Sequence, residues 1–227
     1  MKFVTHGKAK IDISVDKIVA NERIMDSIRA GRYEHWEAMF AKKVVQPSDR
    51  ILELGAGLGF VSTAVCSHTQ PEQYTAVEAD ERLIPHINRT HKRNKIKDVD
   101  VIQGAFVSNP ETLQTGYVEF GVAKAFWGSG IDKAGHNKAT TVRVPAHDIS
   151  KYIRDNRVNI LISDIEGGEL DLFRHLDFGP LNRIIMEIHP KVFGLEGVRE
   201  IFQILDRNNF VYDAQSGHGA VVTFTRV

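Results

Sequence analysis

The sequence predicts one α/β domain with a seven-stranded, mostly parallel sheet, an antiparallel C-terminal hairpin and an N-terminal helical cap. Two observations predict this fold. From residue 50 to residue 208, short β-like runs alternate with helical segments, a pattern typical of parallel strands joined by right-handed crossovers. After residue 208, two β-like runs are joined by a short loop that contains Gly217 and Gly219, which indicates an antiparallel pair at one edge of the sheet.

The N-terminal part of the chain predicts the cap. Residues 11–16 alternate apolar and polar side chains with a period of two, which predicts a half-buried edge strand. Residues 17–30 and 33–44 form two amphipathic segments that predict helices. We expect Trp36 and Phe40 to be core residues of the second helix, because aromatic side chains at this spacing usually pack inside.

The remaining elements follow in chain order. The predicted sheet strands are residues 51–54, 74–77, 99–102, 159–163, 183–186, 210–212 and 220–224, and the predicted helices are residues 60–68, 81–94, 148–156, 169–176 and 195–208. Residues 118–126 predict a hairpin and residues 141–144 a further strand. We interpret residues 126–140 either as a mobile loop that covers a binding site or as a plain surface loop.

Composition and charge exclude several classes of protein. The 227 residues include 29 Lys and Arg and 29 Asp and Glu, so the formal net charge is zero and no nucleic-acid partner is predicted. The single cysteine, Cys66, excludes an internal disulfide framework and a cysteine-rich zinc cluster. No apolar run approaches the roughly 20 residues that span a bilayer, and residues 1–10 lack a secretory apolar region. We therefore expect a cytoplasmic protein without membrane partners.

A glycine-rich loop follows the first strand of the sheet. The segment Glu53-Leu54-Gly55-Ala56-Gly57-Leu58-Gly59 lies between a predicted strand and a predicted helix, where glycines let the backbone approach a ligand closely. The third glycine comes two residues after the second, so the dinucleotide fingerprint is not met. The carboxylate of Glu53 would repel a pyrophosphate and attract a cation. S-adenosylmethionine, which carries a sulfonium and an ammonium group but no phosphate, fits this loop better than NAD.

The ends of the next two strands extend this interpretation. Glu78, followed by Ala79, lies 78 − 55 = 23 residues after Gly55, and an acid at about that distance accepts hydrogen bonds from ribose hydroxyls. This feature supports either cofactor, because NAD and S-adenosylmethionine share the ribose. The third strand ends at Gly104 and Ala105, where the adenine edge is expected.

The later strands end in a group of ionisable side chains. Asp164 and Glu166 follow one strand, and Glu187 and His189 follow the next along the chain. Adjacent parallel strands would bring these groups together, and buried charges are costly unless they have a purpose. The group suits either general-base catalysis or a divalent cation. Because the spacing matches no recognised metal motif, no metal is predicted, and we interpret Glu169 as a helix cap.

These residues resemble a class I S-adenosylmethionine-dependent methyltransferase with a Rossmann-like sheet, and more narrowly the FkbM family. The resemblance rests on the glycine loop, Glu78, the segment Asp164-Ile165-Glu166-Gly167-Gly168-Glu169, the closing strand pair and Tyr33-Glu34. It covers about residues 31–227 and leaves residues 1–30 as an N-terminal extension. Family members often carry Asp and Asn where this chain has Glu53 and Gly57. The resemblance implies O-methylation of a hydroxyl on a sugar, natural product or similar small molecule.

The candidate site residues therefore fall into two sets. The predicted cofactor-binding residues are Glu34, Glu53, Gly55, Ala56, Gly57, Gly59, Glu78, Ala79, Gly104 and Ala105, and the predicted catalytic residues are Asp164, Glu187 and His189. Two alternatives stay open: an NAD-dependent oxidoreductase on a related sheet, and a binding module that kept the sheet and lost catalysis. The basic run at residues 91–97 is interpreted as a solvated helix end.

Overall fold

A computed structural model of the chain describes residues 1–131 and 139–227. Its strands are β1 (Lys2–Thr5), β2 (Asp12–Val15), β3 (Arg50–Leu54), β4 (Gln73–Glu78), β5 (Asp100–Gln103), β6 (Ala105–Val107), β7 (Tyr117–Ala123), β8 (Ala139–Asp148), β9 (Ile160–Ser163), β10 (Arg183–Glu187), β11 (Phe210–Tyr212) and β12 (Val221–Arg226). Its helices are α1 (Glu22–Arg29), α2 (His35–Val44), α3 (Phe60–His68), α4 (Ile84–Arg93), α5 (Pro110–Thr115), α6 (Ile149–Asn156), α7 (Glu169–His175) and α8 (Pro190–Arg207). None of these helices is both long and apolar enough to cross a membrane.

Seven strands form the central sheet, in the order β11-β12-β10-β9-β3-β4-β5. Strands β10, β9, β3, β4 and β5 pair in parallel, and β12 is antiparallel to both of its neighbours, β10 and β11. The predicted fold class, including the antiparallel C-terminal pair, is confirmed. Because the carboxyl ends of the parallel strands share one edge of the sheet, the segments that follow them meet there.

Apolar cores cover both faces of the sheet. Successive side chains of a strand point to opposite faces, so Ile51 lies in one core and Leu52 in the other, each fully buried. Burying one such side chain stabilises the fold by about 1.5–3 kcal/mol. Ile13, Ile24 and Ile28 pack in the core that contains Ile51, so residues 1–30 share a core with the rest of the chain. The division into residues 1–30 and 31–227 stays a prediction.

The N-terminal cap contains a hairpin that the sequence did not reveal. Strand β1 pairs antiparallel with β2, and the predicted strand at residues 11–16 is the second strand of this hairpin. The helix predicted for residues 17–30 begins only at Glu22, because the side chain of Asn21 accepts a hydrogen bond from the Ile24 N–H and caps it there.

The predicted hairpin at residues 118–126 is wrong. Residues 117–123 form one strand, β7, which pairs antiparallel with β8 across the whole of its length. Strand β8 extends the predicted strand at 141–144 at both ends and also pairs in parallel with β6, giving a separate three-stranded sheet in the order β6-β8-β7. Residues 132–138 of the predicted loop lie outside the described residues, so its proposed role as a cover stays a prediction.

Candidate active site

The carboxyl edge of the central sheet borders a cavity of about 870 Å³. Its wall contains these predicted cofactor-binding residues: Glu34, Gly55, Gly57, Glu78, Ala79, Gly104 and Ala105. It also contains all three predicted catalytic residues, Asp164, Glu187 and His189. The structure therefore brings seven of the ten predicted cofactor-binding residues and all three predicted catalytic residues to one cavity, at the place where parallel α/β sheets bind ligands.

Glu78, at the end of β4, ties the glycine loop to the next strand end. Its Oε2 accepts a hydrogen bond from the Gly57 N–H at 2.8 Å, and its Oε1 accepts one from the Asp80 N–H at 2.8 Å. Burial raises the pKa of Glu78 to about 7, although these backbone hydrogen bonds favour the charged form. Each carboxylate oxygen has a second lone pair, so Glu78 can still accept hydrogen bonds from a ribose diol.

Tyr33 and Glu34 lie directly against the glycine loop. A Cβ atom on Gly57, which has φ +53°, would stand 2.6 Å from the Tyr33 hydroxyl and 2.9 Å from Glu34 Oε1. The Leu58 N–H donates to the Tyr33 hydroxyl at 3.3 Å. Because Gly57 has no side chain, Tyr33 and Glu34 can lie against the glycine loop. These two residues, which precede α2, form part of the cavity wall.

Glu34 has the features of a ligand-binding carboxylate. It adopts a left-handed conformation (φ 45°, ψ 30°) at the start of α2, and such backbone strain is common at functional sites. Its Oε2 is buried and has no hydrogen-bond partner among the described residues. Burial is the main cause that raises the pKa of Glu34 well above its usual range. A cationic group placed beside this oxygen would relieve that penalty, which fits the ammonium group of S-adenosylmethionine.

Three predicted cofactor-binding residues lie outside the described lining of the cavity. Glu53 is only 2% exposed and lies on the face of β3 that carries Ile51. Burial raises the pKa of Glu53 to about 8, and the hydroxyls of Tyr74 and Ser62 oppose this rise.

The other two residues serve the loop itself. The Ala56 N–H donates to the Val77 carbonyl at 2.9 Å. A Cβ atom on Gly59 would stand 3.0 Å from Ile87 and 3.2 Å from His91, so its lack of a side chain lets α3 and α4 approach each other. Direct contact of Glu53, Ala56 or Gly59 with a cofactor stays a prediction.

The ends of β9 and β10 bring ionisable groups together around His189. Its Nε2 lies 3.6 Å from Asp164 Oδ1 and 3.7 Å from Glu166 Oε2, and its Nδ1 lies 3.3 Å from Glu169 Oε1. Burial lowers the pKa of His189, but the Glu169, Asp164 and Glu187 carboxylates outweigh it and raise that pKa to about 9. Glu169 also accepts the Ile165 N–H at 3.0 Å, so it holds the loop before α7 and contacts the histidine as well, and its role as a helix cap stays a prediction.

Asp164 connects this group of ionisable side chains to the glycine loop. Its Oδ1 is buried without a hydrogen-bond partner among the described residues. Burial and the nearby carboxylates of Glu187 and Glu166 raise the pKa of Asp164 well above its usual range. A Cβ atom on Gly55 would stand 1.8 Å from the Asp164 carbonyl oxygen, so the glycine loop and the end of β9 are in direct contact. This contact connects the predicted cofactor-binding residues of the glycine loop to the predicted catalytic residues after β9.

Several residues of the cavity were not predicted from the sequence. Trp36, predicted as a core residue, lines the cavity and meets His218 edge to face at a centroid distance of 3.8 Å. His218 lies between β11 and β12, and the topology itself was the available signal: the loop after β11 returns at the same edge of the sheet as the other strand ends. Glu37 also lines the cavity, and burial raises its pKa to about 7.

Solved structures share this fold at low sequence identity. Precorrin-6y C5,15-methyltransferase from Geobacter metallireducens GS-15 aligns with a TM-score of 0.50 and 10% identity over 93% of this chain and 94% of its own. The ribosomal protein L11 methylase from Lactobacillus delbrueckii subsp. bulgaricus aligns with a TM-score of 0.51 and 11% identity over 87% of this chain and 80% of its own. These similarities confirm the fold alone.

Sequence comparison identifies the family. A short region of 62 residues is 34% identical to the ribosomal RNA small subunit methyltransferase A of Malacoplasma penetrans (strain HF-2), and it spans 27% of this chain and 22% of that protein. The sequence-family model described as the methyltransferase FkbM domain matches residues 42–212. This range covers most of the chain and nearly all of the central sheet. The chain therefore belongs to the FkbM methyltransferase family and carries an S-adenosylmethionine-dependent methyltransferase domain.

Proposed function

We propose that this protein transfers a methyl group from S-adenosylmethionine to a hydroxyl of a small molecule such as a sugar or natural product. The observation that carries the proposal is the shared cavity, in which Glu78 and the glycine loop line one part and Asp164, Glu187 and His189 another. A ribose-binding acid and a set of proton acceptors in one cavity are what methyl transfer to oxygen requires.

The residues of the loop side hold and orient the cofactor. Glu78 accepts hydrogen bonds from the ribose hydroxyls, and the buried Oε2 of Glu34 faces the cationic amino-acid end. Gly104 and Ala105 border the adenine. The bound cofactor supplies a methyl group on a positively charged sulfur, which is a good leaving group. The protein therefore has to position two reactants and remove one proton.

The residues after β9 and β10 manage that proton. The pKa of Asp164 is raised mainly by burial and next by Glu187, and the pKa of Glu187 is raised mainly by its own burial. A base whose pKa lies nearer neutrality is a more effective proton acceptor. The hydroxyl proton of the acceptor passes to this carboxylate pair. His189, whose pKa of about 9 keeps it protonated at neutral pH, holds the pair in place by charge.

The first experiment tests the cofactor site by calorimetry. Glu78→Ala should weaken binding of S-adenosylmethionine by about 1–3 kcal/mol, the scale of a hydrogen bond to a charged group. Glu119→Ala, an exposed residue of β7, is the matched control and should bind like the parent protein. Unchanged affinity of Glu78→Ala would remove this residue from the cofactor site. Stabilisation by NADH, and not by S-adenosylhomocysteine, would instead favour an oxidoreductase.

The second experiment tests the acceptor. Purified protein is incubated with S-adenosylmethionine and a panel of sugars, polyketide alcohols and ribosomal RNA, and products are detected by mass spectrometry as added methyl groups. We expect methylated small-molecule alcohols, and Asp164→Asn should lower their formation while it keeps cofactor affinity. Methylation of RNA alone would contradict the proposed acceptor. Cofactor binding without turnover on any hydroxyl would favour a non-catalytic module.

A further inference from the structure

We propose that Asp164, Glu166 and His189 bind a divalent cation, Mg²⁺ or Mn²⁺, which coordinates the acceptor hydroxyl. This inference rests on the proposed function for its role in the reaction, but the site itself rests only on the geometry of three side chains. One ligand atom from each residue lies within 4.8 Å of the other two. All three residues line the cavity on its acceptor side, so a cation there would meet a bound acceptor.

The distances suit one small cation. Around a cation with ligand bonds of about 2.1 Å, neighbouring octahedral ligand atoms stand about 3.0 Å apart and opposite ones about 4.2 Å apart. His189 Nε2 is 3.6 Å from Asp164 Oδ1 and 3.7 Å from Glu166 Oε2, between these two values. Small rotations of the side chains would therefore close the three atoms around one ion.

A carboxylate outside the proposed ligand set lies beside the other ring nitrogen of His189. Glu169 is fully buried, and its Oε1 lies 3.3 Å from His189 Nδ1. A cation at Nε2 would displace the proton that His189 carries there, and the proton left on Nδ1 would face this carboxylate. Metal-binding histidines characteristically have such a carboxylate partner on their other nitrogen. Its presence is independent of the three proposed ligands.

Two buried oxygens of this cluster lack hydrogen-bond partners among the described residues. They are Asp164 Oδ1, a proposed ligand atom, and Oε2 of Glu169, whose side chain is 0% exposed. Leaving buried carboxylate oxygens unpaired is costly unless a cation compensates for them.

The donor set defines the chemical class of the cation. Two carboxylate oxygens and one imidazole nitrogen suit Mg²⁺ or Mn²⁺ better than thiophilic metals. Three protein ligands leave coordination positions for water and for an acceptor oxygen. A coordinated hydroxyl is more acidic than a free one. Its O–H bond would break with the proton passing to Glu187, while the oxygen keeps the electron pair and stays on the cation.

The test measures cation binding directly, without any need for the acceptor. Metal-free protein is titrated with Mn²⁺ and the bound ion is followed by electron paramagnetic resonance. We expect one Mn²⁺ site per chain, weakened at least about tenfold by Asp164→Asn and by Glu166→Gln. Glu166 is 40% exposed at its side chain, so its substitution carries little risk to folding. Glu196→Gln, at a 91% exposed side chain of α8, is the matched control and should bind Mn²⁺ like the parent protein.

The outcomes separate this site from the proposed function. Absence of Mn²⁺ binding up to about 1 mM, the weak end of protein sites, would overturn the cation site, as would affinity that neither ligand variant changes. Full methyl transfer in the presence of a strong chelator would overturn the role of the cation and leave the methyltransferase intact. Mn²⁺ binding by a protein that ignores S-adenosylmethionine would support the site and contradict the proposed function.

Discussion

At the scale of single residues, the site depends on carboxyl groups held where their charged forms are poorly solvated. Burial raises the pKa values of Glu78 and Glu37 to about 7 and that of Glu53 to about 8. Asp164 and Glu34 are shifted in the same direction by the same cause. Each group reaches a lower free energy when a proton, a hydrogen-bond donor or a cation arrives beside it. The cavity is thus prepared for a cationic ligand with hydroxyl groups.

Cofactor binding should depend on pH through Glu78. In the proposed site, ribose hydroxyls donate to the charged carboxylate of Glu78, so binding favours the form that exists above the pKa of about 7. Affinity should therefore rise between about pH 6 and pH 8, with a limiting slope of about tenfold per pH unit below the pKa. Calorimetry with methylthioadenosine isolates this effect, because that ligand keeps the ribose and lacks the titratable amino acid. Glu78→Gln, the matched variant, should show a flat profile. A sloping profile in that variant would assign the titration to another group.

At the scale of elements, the sequence predicted those strands and helices whose signals are local. The helix α3 was predicted with its observed bounds, because the glycine loop marks its start and a continuous run of buried side chains follows. The pairing of β7 with β8 was not predicted. The two strands are distant in sequence, and a short apolar run does not indicate which other strand it pairs with. The short strand β6 was missed for a similar reason.

In the candidate site, too, some residues could be predicted from local sequence signals and others could not. The strand-end residues Glu78, Asp164, Glu187 and His189 were predictable because parallel topology alone carries them to one edge. The approach of Trp36 to His218 was not, because it depends on how α2 and the loop between β11 and β12 pack at the edge of the sheet.

The contact between the glycine loop and β9 gives a prediction at this scale. Gly55 has φ +82°, and a Cβ atom there would stand 1.8 Å from the Asp164 carbonyl oxygen. Gly116 has a similar φ of +73° with open space around its Cβ position, so it isolates the backbone effect. Gly116→Ala should cost about 1 kcal/mol of unfolding free energy, and Gly55→Ala about 1–3 kcal/mol more from the clash. Urea unfolding measures both, and equal losses would contradict a tight contact at Gly55.

At the scale of the whole molecule, the buried acids should make stability fall as pH rises from about 5 to about 8. The folded protein holds protons on Glu37, Glu53 and Glu78 up to a pH of about 7–8, whereas the unfolded chain loses them near its ordinary pKa of 4.5. The folded state therefore binds more protons in this range. The contribution of these acids to the unfolding free energy should fall between about pH 5 and pH 8, with a limiting slope of about 1.4 kcal/mol per pH unit for each proton held only by the folded state.

Buried histidines act in the opposite sense at lower pH. Burial lowers the pKa values of His6 and His91 to about 4, so below about pH 6.5 the unfolded chain gains protons that the folded chain resists. Urea unfolding at constant ionic strength, followed by circular dichroism, measures the whole profile. Glu37→Gln should reduce the fall in unfolding free energy that the buried acids cause as pH rises towards 8. Stability that rises from pH 6.5 to pH 8 would contradict the buried-acid account.

The position of β12 has a consequence for how the protein is made. This strand is the last of the seven along the chain, yet it sits inside the sheet between β10 and β11. During translation, β11 leaves the ribosome before any neighbour exists for it to pair with, and the apolar edge of β10 is left uncovered for the same period. Chains interrupted shortly before residue 221 should consequently expose an unprotected sheet edge to chaperones and to other nascent chains.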